Sequence, residues 1–176
     1  MLAITSLGVR ATETDSLLAL LDTEIHDSIK IDALGELSKS MFGSEPDQAI
    51  EYATQGTQLA KKINDSERLG NALKNVGLGY YYMGDFVEVL ENWEASLSAY
   101  ESIGHAQGIS NLLSNIGAVR IDSNHQKALE YFEESLKIAK ELGDRLGEGG
   151  VLSNIGTVYE ILSDYPKAIE YFEECL

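Results

Sequence analysis

Hydrophobic and polar positions follow one another with the period of a helix, in stretches one helix long that short polar turns separate. Ile31, Leu34, Leu37 and Met41 recur at intervals of three, three and four, which puts them on one helical face between Asp27 and Met41. Gly43-Ser44-Glu45-Pro46 breaks that helix, and Pro46 suits the first turn of the next, where its missing N–H is not needed. The second helix runs from about Asp47 to Ile63, with Ala49, Ile50, Ala53, Leu59 and Ala60 apolar. Asn64-Asp65-Ser66 is a turn, and Asp65 or Ser66 caps a helix that continues to Met83 through Leu69, Leu73, Val76 and Tyr80. After Gly84, Asp85 and Glu88 have capping-box spacing and open a helix from Phe86 to about Ile103, through Val89, Leu90, Trp93 and Leu97.

The same reading predicts helices from about Gln107 to Ile121, Gln126 to Leu142, Arg145 to Leu162 and Lys167 to Leu176. Ahead of them, Asp15 is expected to cap a short helix carrying Leu17, Leu18, Leu20 and Leu21, which would cover the open front of a stack.

The pattern repeats itself. Residues 114–134 read SNIGAVRIDSNHQKALEYFEE and residues 153–174 read SNIGTVYEILSDYPKAIEYFEE. A looser copy, KNVGLGYYYMGDFVEVLENWEAS, occupies 74–96, and a partial one, DQAIEYATQGTQLA, occupies 47–60. The period, read from Asn75, Asn115 and Asn154, is close to 40. Self-similarity at such a period marks a stacked repeat array, whose core is a seam shared between neighbouring units.

Composition narrows the function classes. There are 29 Asp and Glu against 13 Lys and Arg, a net charge of −16. That balance argues against nucleic acid and anionic membrane surfaces and favours a neutral or basic protein partner. Two prolines leave the chain free to be helical over most of its length. The single cysteine, Cys175, allows no intrachain disulfide and no cysteine-based metal site, and the three histidines show no metal-binding spacing. No apolar run approaches the roughly 20 residues a membrane span needs. The first ten residues, MLAITSLGVR, are mildly apolar but too short for a whole signal peptide; they read either as the remnant of a targeting segment or as a frayed end. The compartment is accordingly cytoplasmic or periplasmic on this reading.

The repeated residues resemble the tetratricopeptide repeat (TPR) family, in a form with longer helices than the common repeat of about 34 residues. That family places a large apolar residue, a Leu-Gly pair and an aromatic on the first helix of a hairpin, then a small residue, an aromatic and a small residue on the second. Here Leu73, Val76-Gly77 and Tyr80 precede Val89, Trp93 and Ser96; Leu113 and Ile116-Gly117 precede Ala128, Phe132 and Ser135; Leu152, Ile155-Gly156 and Tyr159 precede Ala168, Phe172 and Cys175. In the first unit Leu34-Gly35 is two residues too far from Ala49, and Ala53 and Gly56 replace the aromatic and the small residue. Arg120 stands at an aromatic position beside a one-residue deletion, so that turn is expected to be irregular. The glycine lets helices approach, and the aromatic is expected to fill the hollow between hairpins.

The resemblance implies an all-α, right-handed superhelical solenoid of antiparallel helix pairs, about 3.5 repeats after an N-terminal segment at 1–26. Its repeats would run at about 27–64, 65–104, 105–143 and 144–176. Because the last one stops in mid-pattern, the chain is expected to be a piece of something longer. The stretch AIEYATQGTQLAKKINDSERLGNALKNVG further resembles sensory TPR regions that precede histidine kinase or nucleotide cyclase domains in bacterial signalling proteins.

No nucleophile–base pair, metal cluster or phosphate loop is evident, so neither catalysis nor a cofactor is expected of this chain. Glu133-Glu134 and Glu173-Glu174 point about 100° apart on a helix, and so read as solvated faces. His105 and His125 read as surface residues, and Cys175 as a packed thiol. Gly147-Glu148-Gly149-Gly150 reads either as a close helix contact or joint, or as backbone left open to a ligand.

The candidate binding surface is implied by the TPR register, which puts first-type helices on the concave side. Asn75, Asn115 and Asn154 then form a ladder of carboxamides, each able to donate and accept along an extended peptide. The other reading has them bonded within the array. Around them lie Asn71, Lys74, Leu78 and Tyr81; then Asn111, Ser114 and Ala118; then Gly150, Ser153 and Thr157. The expectation is a protein-interaction module for a peptide or a neighbouring domain, in the regulatory region of a larger signalling protein. Two alternatives are a self-association element, with Tyr171, Phe172 and Leu176 at an open edge giving a homodimer, and the non-catalytic part of an enzyme whose catalytic domain lies beyond residue 176.

Overall fold

A computed structural model describes residues 14–175. The reading of MLAITSLGVR and the placing of Leu176 at an edge lie outside the described residues. Residues 14–21 are helical (α1), followed by α2 (Asp27–Met41), α3 (Pro46–Ile63), α4 (Ser66–Met83), α5 (Phe86–Glu101), α6 (Ala106–Arg120), α7 (His125–Leu142), α8 (Arg145–Ile161) and α9 (Tyr165–Glu174). No described residue is in a strand. Asp15 lies inside α1 rather than capping it, and Leu17, Leu20 and Leu21 are half-buried.

The caps explain where the helices begin. Asp65 Oδ1 accepts the Arg68 N–H at 2.9 Å, Asn124 Oδ1 that of Lys127 at 2.9 Å, and Asp144 Oδ1 that of Gly147 at 2.9 Å. Each satisfies one of the N–H groups that a helix start leaves unpaired. Two histidines also cap. His26 Nδ1 accepts from the Ser28 N–H and His105 Nδ1 from the Gly108 N–H at 2.9 Å. His105 also stacks on Tyr100 at 5.0 Å, so it is a half-buried structural residue and not the surface residue expected. His125, at the start of α7, is likewise half-buried. Left-handed residues end several helices: Asn64 (φ 56), Gly84 (φ 78) and Gly143 (φ 68). The turn after α6 has none, since Ile121 stays right-handed. The deletion beside Arg120 thus gives the expected irregular turn.

The chain divides into two compact units, Met1–Ala99 and Tyr100–Leu176, with the boundary inside α5. In the first, Ile31, Leu34 and Leu37 of α2 are buried with Ala49, Ala53 and Ala60 of α3 and Ala72 and Val76 of α4. In the second, Ala128, Leu129 and Phe132 of α7 form a core with Val151, Ile155 and Val158 of α8.

Two contacts recur inside the hairpins. The ring of the second helix lies on the glycine of the first: Trp93 on Gly77, Phe132 on Gly117 and Phe172 on Gly156. The rings therefore cover the glycine of their own hairpin as well as reaching, in the case of Phe132, the next one. The small residue three places after each ring also donates a hydrogen bond to a carbonyl of the first helix. Ser96 Oγ reaches Gly70 O at 2.6 Å, Ser135 Oγ reaches Ser110 O at 2.8 Å, and Cys175 Sγ reaches Gly149 O at 3.1 Å. Small size at this position serves close approach, and the O–H or S–H satisfies a backbone acceptor there.

Candidate functional site

In the first unit, Asn71, Lys74, Asn75, Leu78 and Tyr81 fall at helical intervals on α4. Their environments differ. Asn71 and Tyr81 are exposed, Lys74 and Leu78 half-buried, and Asn75 only 3% exposed. The burial of Asn75 comes from α2, against which α4 packs; the carboxamide nitrogen lies near Gly35. Between α2 and α4, over a floor from α3, is a cleft of about 230 Å³. Its lining includes Ile31, Gly35, Ala53, Gly56, Asn71 and Asn75, with Asp32 and Arg68.

The cleft follows from the irregular first unit. Ala53 stands where the other hairpins carry a ring, and Gly56 where they carry Ser or Cys. Among the described residues no ring covers Gly35, and a Cβ there would meet Asn75 Nδ2 at 3.8 Å. Sequence inspection registers Ala53 and Gly56 as departures from the repeat; the void they leave is visible only when α2, α3 and α4 are assembled.

The charges around the cleft are compensated. Arg68 grips Asp32 through two 2.9 Å bonds and Asp65 through a third of 2.8 Å, which raises the guanidinium pKa. Lys39 pairs with Glu36 at 2.8 Å. Lys74 has no carboxylate partner among the described residues; burial, and then the nearby Lys39, lower its pKa.

In the second unit, α6 carries Asn111, Ser114, Asn115 and Ala118, and α8 carries Ser153, Asn154 and Thr157. Asn111, Asn115 and Ala118 are exposed; Ser114, Ser153, Asn154 and Thr157 are half-buried. Asn154 Nδ2 donates to Ser114 Oγ at 3.4 Å, which joins α8 to α6. Thr157 Oγ1 donates back to Ser153 O at 3.0 Å, and Asn111 Oδ1 accepts from Gln107 Nε2 at 3.2 Å. Equivalent repeat positions have thus become three kinds of asparagine: Asn75 buried, Asn115 exposed, and Asn154 half-buried and bonded within its unit.

The glycines of 147–150 divide the same way. Gly147 belongs to the Asp144 cap, Gly149 faces Cys175 and Gly150 is exposed with open space at its Cα. At the C-terminal end, Tyr171 stacks on Tyr159 at 5.5 Å and Phe172 covers Gly156, so both rings are engaged inside their own hairpin. No described helix is long and apolar enough to cross a membrane.

Comparison with known proteins agrees with this architecture. A family model described as tetratricopeptide repeat matches residues 108–176. No curated protein matches the chain. Among solved structures, aspartyl phosphate phosphatase F from Bacillus subtilis superposes with a TM-score of 0.84 at 17% identity, over 93% of this chain and 43% of that one. A signal transduction ATPase with numerous domains from Pyrococcus horikoshii, which has a tetratricopeptide repeat sensor, gives 0.80 at 23% identity, over 90% and 25%. BtubC from P. vanneervenii gives 0.78 at 14% identity, over 94% and 69%. The chain thus spans less than half the length of the first two. Identities this low speak to fold alone. With the internal repeats and the helix hairpins, the chain has an all-α solenoid fold like that of tetratricopeptide-repeat proteins, and its residues 108–176 match that family's model.

Proposed function

We propose that this chain is a protein-binding module that takes up an extended peptide, or a segment of a neighbouring domain, along the polar faces of first-type helices within a unit. The observation that carries the reading is the face of α6 and α8. On a chain of net charge −16, Asn111, Ser114, Asn115, Ser153 and Asn154 form an uncharged strip of donors and acceptors, with Asn115 exposed. Carboxamides at helical spacing match the alternating N–H and C=O groups of an extended backbone. The acidic charge disfavours nucleic acid as the partner.

The module is proposed to be the regulatory or sensory part of a larger signalling protein, of the histidine kinase or nucleotide cyclase kind. The sensory resemblance of the sequence supports this, as does the likeness to part of longer chains, one with a named repeat sensor.

The test is selection from a displayed peptide library, followed by titration of a selected peptide against Asn115→Ala and Asn154→Ala. Loss of about tenfold in affinity at Asn115, the scale of one hydrogen bond, with unchanged helical circular dichroism, supports the reading. Unchanged affinity in both variants rejects the carboxamide strip. Light scattering on the same samples detects the alternative, a self-associating element.

A further inference from the structure

We infer that the cleft between α2 and α4 binds an aromatic side chain of an extended peptide, the ring entering where the first hairpin lacks one of its own. This rests on the reading of the chain as a peptide-binding module and names the side chain that the module selects.

The first observation is the slot itself. Three hairpins cover a first-helix glycine with a ring, Trp93, Phe132 or Phe172. The first hairpin has Ala53 in the ring position and Gly56 beyond it; Gly35 of α2, two residues out of the register of the other glycines, lines the cleft with them. The open volume of about 230 Å³ exceeds the roughly 150 Å³ of an apolar cavity known to accept benzene. Ile31 of α2, Ala53 of α3 and Ala72 of α4 give the lining its apolar side chains, beside the charged Asp32, Glu36, Lys39 and Arg68.

The second observation is independent of the first. Asn75 is 3% exposed and lines the cleft, yet its carboxamide bonds to no other described residue. Its amide atoms are not among the fully covered ones, so in the cleft they stay open to a partner from outside. A peptide group flanking a bound aromatic residue supplies both a C=O and an N–H. The mouth fits the same ligand. Arg68, its charge already met by Asp32, holds a guanidinium suited to stacking on a ring and has no charge left over for a phosphate.

The experiment uses N-acetyl-phenylalaninamide as probe, with N-acetyl-alaninamide as control, and reads amide resonances by NMR. The expected result is saturable shifts at Gly35, Gly56 and the Asn75 side chain with the aromatic probe only. Ala53→Phe, which returns a ring to the slot, is expected to abolish them. Because that variant strains the hairpin if the ring fits badly, Gly56→Ala serves beside it. Its Cβ would meet Ala72 Cβ at an ordinary 3.6 Å, so it folds and narrows the cleft, weakening the probe. Asn75→Leu is expected to cost about tenfold in affinity, the scale of one hydrogen bond. Equal shifts from both probes would show a site for amides or water and overturn the aromatic claim. No shift at the three positions, while a library-selected peptide still binds through Asn115, overturns this inference and leaves the module reading standing. If neither probe nor peptide binds, both fail.

Discussion

The ring of Phe132 lies on the α-carbon of Gly117: a Cβ added there would stand 2.7 Å from Cε1. Phe132 is fully buried, so the ring has nowhere to retreat. Gly117→Ala improves intrinsic helix propensity by about 1 kcal/mol, but the overlap outweighs it, and a net loss of about 1–3 kcal/mol is expected. Gly35→Ala adds the same methyl where, among the described residues, it meets Asn75 Nδ2 at an ordinary 3.8 Å, and should stabilise by about 0.5–1 kcal/mol. Urea unfolding of the two variants checks the opposite signs; equal signs would show that the rings do not decide the glycine positions.

The buried hydroxyl of Ser135 donates to Ser110 O at 2.8 Å while Ser110 Oγ donates to Ser135 O at 3.1 Å. Ser135→Ala leaves a carbonyl short of one donor and should cost about 1 kcal/mol despite alanine's better helix propensity. Cys175→Ser keeps a donor for Gly149 O, so it should be closer to neutral than Cys175→Ala. Denaturant midpoints for these three variants provide the measurement.

Asp65 accepts the Arg68 N–H and pairs with the Arg68 guanidinium, and these bonds, the backbone one first, hold its carboxyl below the usual range. A carboxylate with a lowered folded pKa contributes stability that is complete above the unfolded value, about 3.9, and is lost as pH falls through the folded one. Asp65→Ala is therefore expected to lose about 1 kcal/mol at neutral pH, the usual worth of a cap, with the gap to the parent narrowing below about pH 4. Thermal melts from pH 7 down to 2 follow it.

Lys74 shows the opposite sign. Burial, then Lys39, lower its pKa. A base held below its unfolded pKa makes the folded state less stable wherever it is charged, and the penalty fades as pH rises toward the ordinary lysine value of about 10.4. Lys74→Met should thus stabilise the protein at pH 7, and the difference should close above pH 10. A difference that stays constant with pH would assign the effect to packing of the longer apolar stem.

The helices, their order and most of their caps were legible in the sequence because each depends on residues a few places apart. Asp65 and Pro46 act on their own helix, and the apolar spacing of Ile31, Leu34 and Leu37 fixes one face. The hairpins were legible because the repeat restates them. The role of Ser96, Ser135 and Cys175 as donors was half legible: the pattern gave their size, while the carbonyls they reach lie on the preceding helix.

The candidate site was legible only as a set of positions. Asn75, Asn115 and Asn154 look alike in sequence, but exposure is set by neighbours remote along the chain. Gly35 and α2 bury Asn75, and Ser114 engages Asn154. The cleft likewise depends on α3 carrying the small residues Ala53 and Gly56 where the other hairpins carry a ring and Ser or Cys. Local propensity and spacing therefore determined the elements of this protein. Which side chains are covered, and where a void remains, was decided by packing between helices, because solvent exposure is a property of the assembled surfaces and not of any one stretch of chain.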